Sequence, residues 1–165
     1  QWLKAMAMRA TREAGRVPPR DPVFAAMSRT ASAEQARVRH RLREEVAVWS
    51  RLRERLHTEF VFVLIPDRYQ VIARRRRLQA DYYGIRPADL DPEQPNRTTT
   101  DALRAAGFPV VDVTRSLSAD PDADNFYYRT DDHFTERGHK AFAAALDAPL
   151  RRVLSEIGPL RGSCP

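Results

Sequence analysis

Between residues 32 and 57 apolar side chains recur at helical spacing. Val38, Leu42, Val46, Trp49, Leu52 and Leu56 follow one another at intervals of four, four, three, three and four, which places them on one stripe of an amphipathic helix. Arg37, Arg39, Arg41, Arg43, Arg51, Arg53 and Arg55 fall mostly off that stripe, so this charge run reads as the wet side of a packed helix. At residue 59 the pattern changes. After Glu59, residues 60–65 are an unbroken apolar run rich in Val and Phe, ended by Pro66. It is too short for a typical helix and predicts a strand buried on both faces, as in a parallel sheet covered by helices. Residues 67–82 then read as helix. Residues 84–97, with Pro87, Pro92 and Pro95, read as loop. Residues 98–106 read as a short helix closed by Gly107, and residues 108–113 as a second apolar strand.

Strand, helix, helix, strand is the order of a right-handed βαβ crossover in a parallel sheet. Two strands do not make a stable sheet of this kind, and the first 58 residues show none. The expectation is therefore that strands outside this sequence complete the sheet. Residues 1–14 read as a helix, and residues 15–22, with Pro18, Pro19 and Pro22, as a loop. The predicted organisation is an N-terminal helix and Pro-rich loop over 1–30, the C-terminal part of a single α/β domain over 31–157, and a tail over 158–165.

A chain of 165 residues can bury a real core in one domain. Its longest apolar run, residues 60–65, falls far short of the roughly 18 residues of a membrane span. Cys164 is the only cysteine, which excludes an internal disulfide or a cysteine zinc site. The net charge of +6 is uneven: residues 1–80 hold 18 Lys and Arg against 8 Asp and Glu, residues 81–165 hold 10 against 14. A basic half invites a nucleic-acid partner. Most of these arginines belong to solvated helix faces, however, and the run at 74–77 lacks the aromatic or Gly-rich element of a base-stacking surface. No nucleic-acid partner is expected.

The most informative stretch is Asn125-Phe-Tyr-Tyr-Arg-Thr-Asp-Asp-His-Phe-Thr-Glu-Arg-Gly-His139. A histidine general base must stand beside a nucleophile, and its other ring nitrogen must be held by an acceptor, usually a carboxylate. Asp131 and His133 are two apart, so in an extended segment they leave the same face. Asp132 is the rival carboxylate and would point the other way. Thr135 suits the N-cap of a helix starting near Glu136, and Gly138 would let that helix approach a neighbour closely. Base and orienter would thus share one rigid piece of chain. His139, His40, His57, Tyr127 and Tyr128 read as packing or surface residues. Asp120, Asp122, Asp124 and Asp131 fall at places one, three, five and twelve of a calcium-loop register. Place six is Asn125 rather than Gly, place twelve is Asp rather than Glu, and no helix is predicted ahead of them. His133 and His139 lack metalloprotease spacing. No metal is expected.

This block resembles the last conserved block of the SGNH hydrolases, the GDSL-like esterases. There an Asp and a His share a short segment, followed by an Asn or Thr, a Gly and a helix. The Asp-x-His-aromatic-Thr form is similar to the branch that includes alginate O-acetyltransferases and related envelope polysaccharide acyltransferases. The strand and Pro-led turn at residues 60–71, the Val-Asp-Val ending of residues 108–113 and Tyr127-Tyr128 ahead of the Asp match that branch, so the likeness covers about residues 45–155. It implies a three-layer α/β/α fold with a central parallel sheet, flavodoxin-like, of which this chain holds only the C-terminal part. It implies a serine that attacks an acyl carbonyl, His133 as its general base and Asp131 as the orienter of His133. The substrate would be an acylated carbohydrate or another small ester, and the reaction hydrolysis or O-acyl transfer of an acyl group, acetyl by preference. Neither a metal nor an organic cofactor is implied, and the compartment would be extracytoplasmic.

The sequence departs from the family in two blocks. It has no Gly-Asp-Ser and no Gly-x-Asn-Asp, and none of serines 28, 32, 50, 116, 118, 155 and 163 follows the expected strand in a Gly-rich turn. The nucleophile is expected in a missing N-terminal part of the same domain. Some relatives permute the blocks, with Asp-x-His first. The alternatives are an inactive remnant or carbohydrate-binding relative, and a basic nucleic-acid-binding module.

Overall fold

The structure, a computed structural model, describes residues 22–157; the helix expected over 1–14 lies outside them. The elements in chain order are α1 (Pro22–Met27), α2 (Ala33–Leu56), β1 (Phe62–Leu64), α3 (Arg68–Val71), α4 (Ala73–Tyr83), a 3-10 turn (Pro87–Asp89), α5 (Gln94–Ala105), β2 (Val110–Asp112), α6 (Thr114–Ala119), a second 3-10 turn (Ala123–Asn125) and α7 (Glu136–Ile157). The chain is α/β but mostly helical.

Local chemistry sets the boundaries. Ser32 caps α2 by accepting the Gln35 N–H at 3.1 Å, and His57 ends it in the left-handed region at φ 49°. The helix expected over 67–82 is two helices. Asp67 and Gln70 form a reciprocal capping box around α3, and Ile72, at φ −97° and ψ 93°, leaves the helical region before α4 begins. Helix α5 starts at Gln94, inside the stretch expected to be loop. Pro95 occupies its first turn, where a missing N–H costs nothing and the fixed φ favours the helix. Gly107 follows α5 at φ 76°, as its position predicts.

The two strands pair in parallel, Phe62 with Val110, Val63 with Val111 and Leu64 with Asp112. Alternation along them sorts side chains to two faces. Phe60, Phe62, Leu64 and Val110 pack with Leu42 and Val46 of α2, Leu103 of α5 and Phe108. Val61, Val63, Val111 and Val113 belong to the cluster of Ile72, Leu117, Phe126 and Tyr127, against which Phe142, Leu146 and Leu150 of α7 pack. A third cluster joins α1 to α3 and α4 through Phe24, Met27, Tyr69 and Ala80. The buried Gln35 amide donates to Ala25 O at 3.0 Å and Ser28 O at 2.7 Å.

Two burial expectations are corrected. Residues Phe62–Leu64 are half-buried rather than covered on both faces, and Ile65 is 72% exposed. In a sheet two strands wide, each strand has a neighbour on one side only. On α2 the apolar stripe is only partly covered: Val46 is buried while Val38 and Leu56 are about half exposed. A helix of 24 residues runs about 36 Å, whereas three-residue strands run about 10 Å. Its ends overhang what it packs on.

Candidate active site

The predicted base and its orienter sit on a short loop fastened at both ends. At its far end Thr135 Oγ1 accepts the Gly138 N–H at 3.1 Å, as an N-cap does, and donates to Asn125 O at 2.8 Å. The Thr135 N–H donates to Phe126 O at 2.9 Å. Helix α7 therefore starts directly against the Phe126 peptide. A Cβ on Gly138 would overlap the Phe126 carbonyl, so only glycine fits there. Within the loop Tyr127 and Phe134 form an antiparallel bridge, their rings 4.6 Å apart, and the Tyr128 N–H donates to His133 O at 3.1 Å.

Tyr127 ties this loop to the sheet. Its buried hydroxyl donates to Pro66 O at 2.7 Å, two residues past β1. Burial pushes the phenol well above its usual range, and the nearby carboxylates of Asp67 and Asp132 push it the same way. The loop thus stands beyond the C-terminal end of a parallel strand, where open α/β sheets place their sites.

At the loop tip Asp131 Oδ1 accepts the backbone N–H of His133 at 2.9 Å and lies 3.3 Å from His133 Nδ1. The imidazole is 85% exposed and the carboxylate about half exposed. With Nδ1 facing the carboxylate, Nε2 is the nitrogen left for proton transfer. Asp132 turns elsewhere: its carboxylate lies 2.7 Å from Arg68 Nε. Arg68 also donates to Asp131 O at 3.1 Å and to the Tyr69 hydroxyl at 2.8 Å. Burial works to lower the Arg68 pKa, but the Tyr69 bond and the carboxylates of Asp132 and Asp67 outweigh it and leave it raised.

A second polar cluster, unforeseen in the sequence, joins α3 and α5 to the end of β2. Asn96 Nδ2 donates to Asp112 Oδ2 at 3.1 Å and Thr114 Oγ1 at 2.7 Å, while Asn96 Oδ1 accepts from Gln70 Nε2 at 2.9 Å. Asp112 Oδ1 accepts the Thr114 N–H. Beside it is a cleft of about 270 Å³ lined in part by Gln70, Arg76, Glu93, Thr114 and Arg115. Asn96 and Gln70 meet only through tertiary packing, so no local spacing could have signalled them.

The other candidates are dispersed. Among the described residues no hydrogen bond joins a serine hydroxyl to His133. Ser32 caps α2, and Ser50, Ser118 and Ser155 donate to carbonyls three or four residues back. Helix α6 does precede the acidic loop, contrary to the expectation. Asp120 accepts the Asp122 N–H and Asp122 pairs with Arg137. No group of three potential metal ligands gathers among the described residues. His139 packs edge-on against Phe134. No described helix is long and apolar enough to cross a membrane.

No curated protein and no solved structure matches the chain. A family model does, that of the SGNH hydrolase-like domain of acetyltransferase AlgX, over residues 23–161. That match spans both strands, the described helices from the second residue of α1 onward and the Asp131–His133 loop, and on it the chain belongs to this acetyltransferase family of SGNH hydrolase-like domains.

Proposed function

We propose that this chain supplies the acid–base half of a serine esterase or O-acyltransferase site acting on acetyl esters of a carbohydrate. The observation that carries the reading is the contact of Asp131 Oδ1 with His133 Nδ1, on a loop fixed at the start of α7, in a chain of an acetyltransferase family. His133 Nε2 takes the proton of an attacking serine. Asp131 keeps the other ring proton on Nδ1 and stabilises the imidazolium as it forms. The protonated ring then returns the proton to the leaving alkoxide. The acyl-enzyme passes its group to a sugar hydroxyl or to water. The serine and the oxyanion donors lie on a segment outside residues 22–157. The same segment adds strands to the β1–β2 pair. The packing of α2 and α5 on one face and α7 on the other supports a three-layer sandwich around that completed sheet.

The test is acetyl-ester turnover by the gene's full product, with and without His133→Ala. Turnover should fall by about six orders of magnitude with an unchanged unfolding midpoint. Equal turnover in the two proteins would remove His133 from the mechanism. No turnover in either would favour an inactive relative that binds the carbohydrate.

A further inference from the structure

Asp131 and Asp132 are adjacent, yet only Asp131 meets the His133 ring, on a loop exposed at its tip. Asp132 instead faces Arg68 of α3. Arg68 is largely covered, its side chain 18% exposed, and its guanidinium is fixed from behind by the Tyr69 hydroxyl and ring, with Cζ 4.8 Å from the ring centroid. From that platform it meets the loop twice: as a charge pair with the Asp132 carboxylate, which stands 2.7 Å from Nε without hydrogen-bond alignment, and as a donor from Nη1 to the Asp131 carbonyl at 3.1 Å. Seven residues on, in α4, Arg75 donates to Tyr128 O at 3.0 Å. The guanidinium spreads these roles over three nitrogens, Nη2 on Tyr69, Nη1 on the Asp131 carbonyl and Nε facing Asp132, a spread that a lysine ammonium cannot match.

We propose that Arg68 is a positioning residue for the acid–base pair: it sequesters Asp132 and orients the Asp131 peptide, so that Asp131 alone holds Nδ1 of His133. The proposal rests on the reading of Asp131 and His133 given above. Arg68 reaches His133 only through the loop. When its grip is lost, Asp132 is released as a second acceptor, the loop tip samples both arrangements, and the ring proton is no longer held on Nδ1.

The experiment reads the tautomer of His133 directly, from imidazole nitrogen shifts of the labelled chain at a pH where the ring is neutral. The native chain should hold the proton chiefly on Nδ1. Arg68→Gln should shift the ratio toward the Nε2 form by about two- to fivefold, the range of a partly exposed ion pair. Adding Asp132→Asn to Arg68→Gln should restore most of the native ratio, because the rival is gone; a purely structural loss would not be repaired that way. An unchanged ratio in Arg68→Gln, or a double variant no better than the single, overturns the proposal. Should Arg68→Gln fail to fold, Arg68→Lys takes its place, with an intermediate ratio expected and a native ratio overturning it. Asp131→Asn is the separate control. It should abolish the Nδ1 preference, and if it does not, the pairing of Asp131 with His133 fails irrespective of Arg68.

Discussion

Tyr127 works as a peg. Its ring lies in the core and its hydroxyl meets the carbonyl of Pro66. In Tyr127→Phe that carbonyl would stay buried without its donor, which costs about 1–3 kcal/mol and should show as a lower urea midpoint with the same slope. The phenol also sets a pH limit. Its folded pKa is raised by burial and by nearby carboxylates, so its contribution is complete below the free tyrosine value of about 10 and is lost as pH rises beyond it. The phenylalanine variant should lack that part of the alkaline loss. At this scale the sequence was legible where neighbours interact through the local chain. Asp131 and His133 stand two apart and do meet, and Thr135 does cap α7. It was opaque where the partner is distant. Arg53, read as part of a wet helix face, donates to the carbonyls of Ala106 and Gly107 and lies over Phe108, some 50 residues away in sequence.

The start of α7 separates two kinds of helix boundary residue. Thr135→Ala removes a cap and should cost about 1 kcal/mol. Gly138→Ala improves intrinsic helix propensity, yet it must push the helix off the Phe126 carbonyl, an overpacking cost of about 1–3 kcal/mol or more. Thermal unfolding of the two variants should therefore rank Gly138→Ala as at least as damaging, the reverse of what propensity alone predicts. The elements that the sequence missed have physical causes of the same sort. Pro95 reads as a breaker but sits in the first turn of α5, where it is tolerated. Ile72 carries no breaker signal at all, and its side chain is drawn into the core with Val71, which bends the chain between α3 and α4. The two strands were recognised from their apolar runs, but their length and cover depend on how many strands lie beside them, which no run of six residues encodes.

Over the whole molecule, α1 is held to the α5 side of the fold by Asp91. Its backbone N–H donates to Met27 O at 2.7 Å, and its carboxylate meets Arg97 at 2.6 Å and Arg29 at 3.8 Å. Burial alone would raise this carboxyl, but the bonds from Arg97 and the Glu93 N–H, with the charges of Arg97 and Arg29, hold it below its usual range. A depressed carboxyl stabilises the fold above its unfolded pKa of about 3.9 and ceases to as pH falls through the lower folded value. Asp91→Asn should thus be less stable at pH 7 by about 1 kcal/mol. That gap should close below about pH 4, a comparison that paired chemical-denaturation curves can make. The chain's family was written in one short block and two strands, because those carry chemistry and topology together. The interlock of Gln70, Asn96 and Asp112 was not, because three elements must dock before it exists.

The shared use of the Phe126 carbonyl has a consequence in time rather than in space. The Thr135 amide and hydroxyl both point at that carbonyl, the Gly138 amide is bonded to the Thr135 hydroxyl and the Tyr128 amide closes the loop on His133 O, so opening one loosens the others. In hydrogen–deuterium exchange they should behave as one cooperative unit with a common opening free energy, slower than the exposed surface of the same helix. On the function proposed above, His133 would be held ready over the lifetime of that unit, a base in place before any nucleophile arrives.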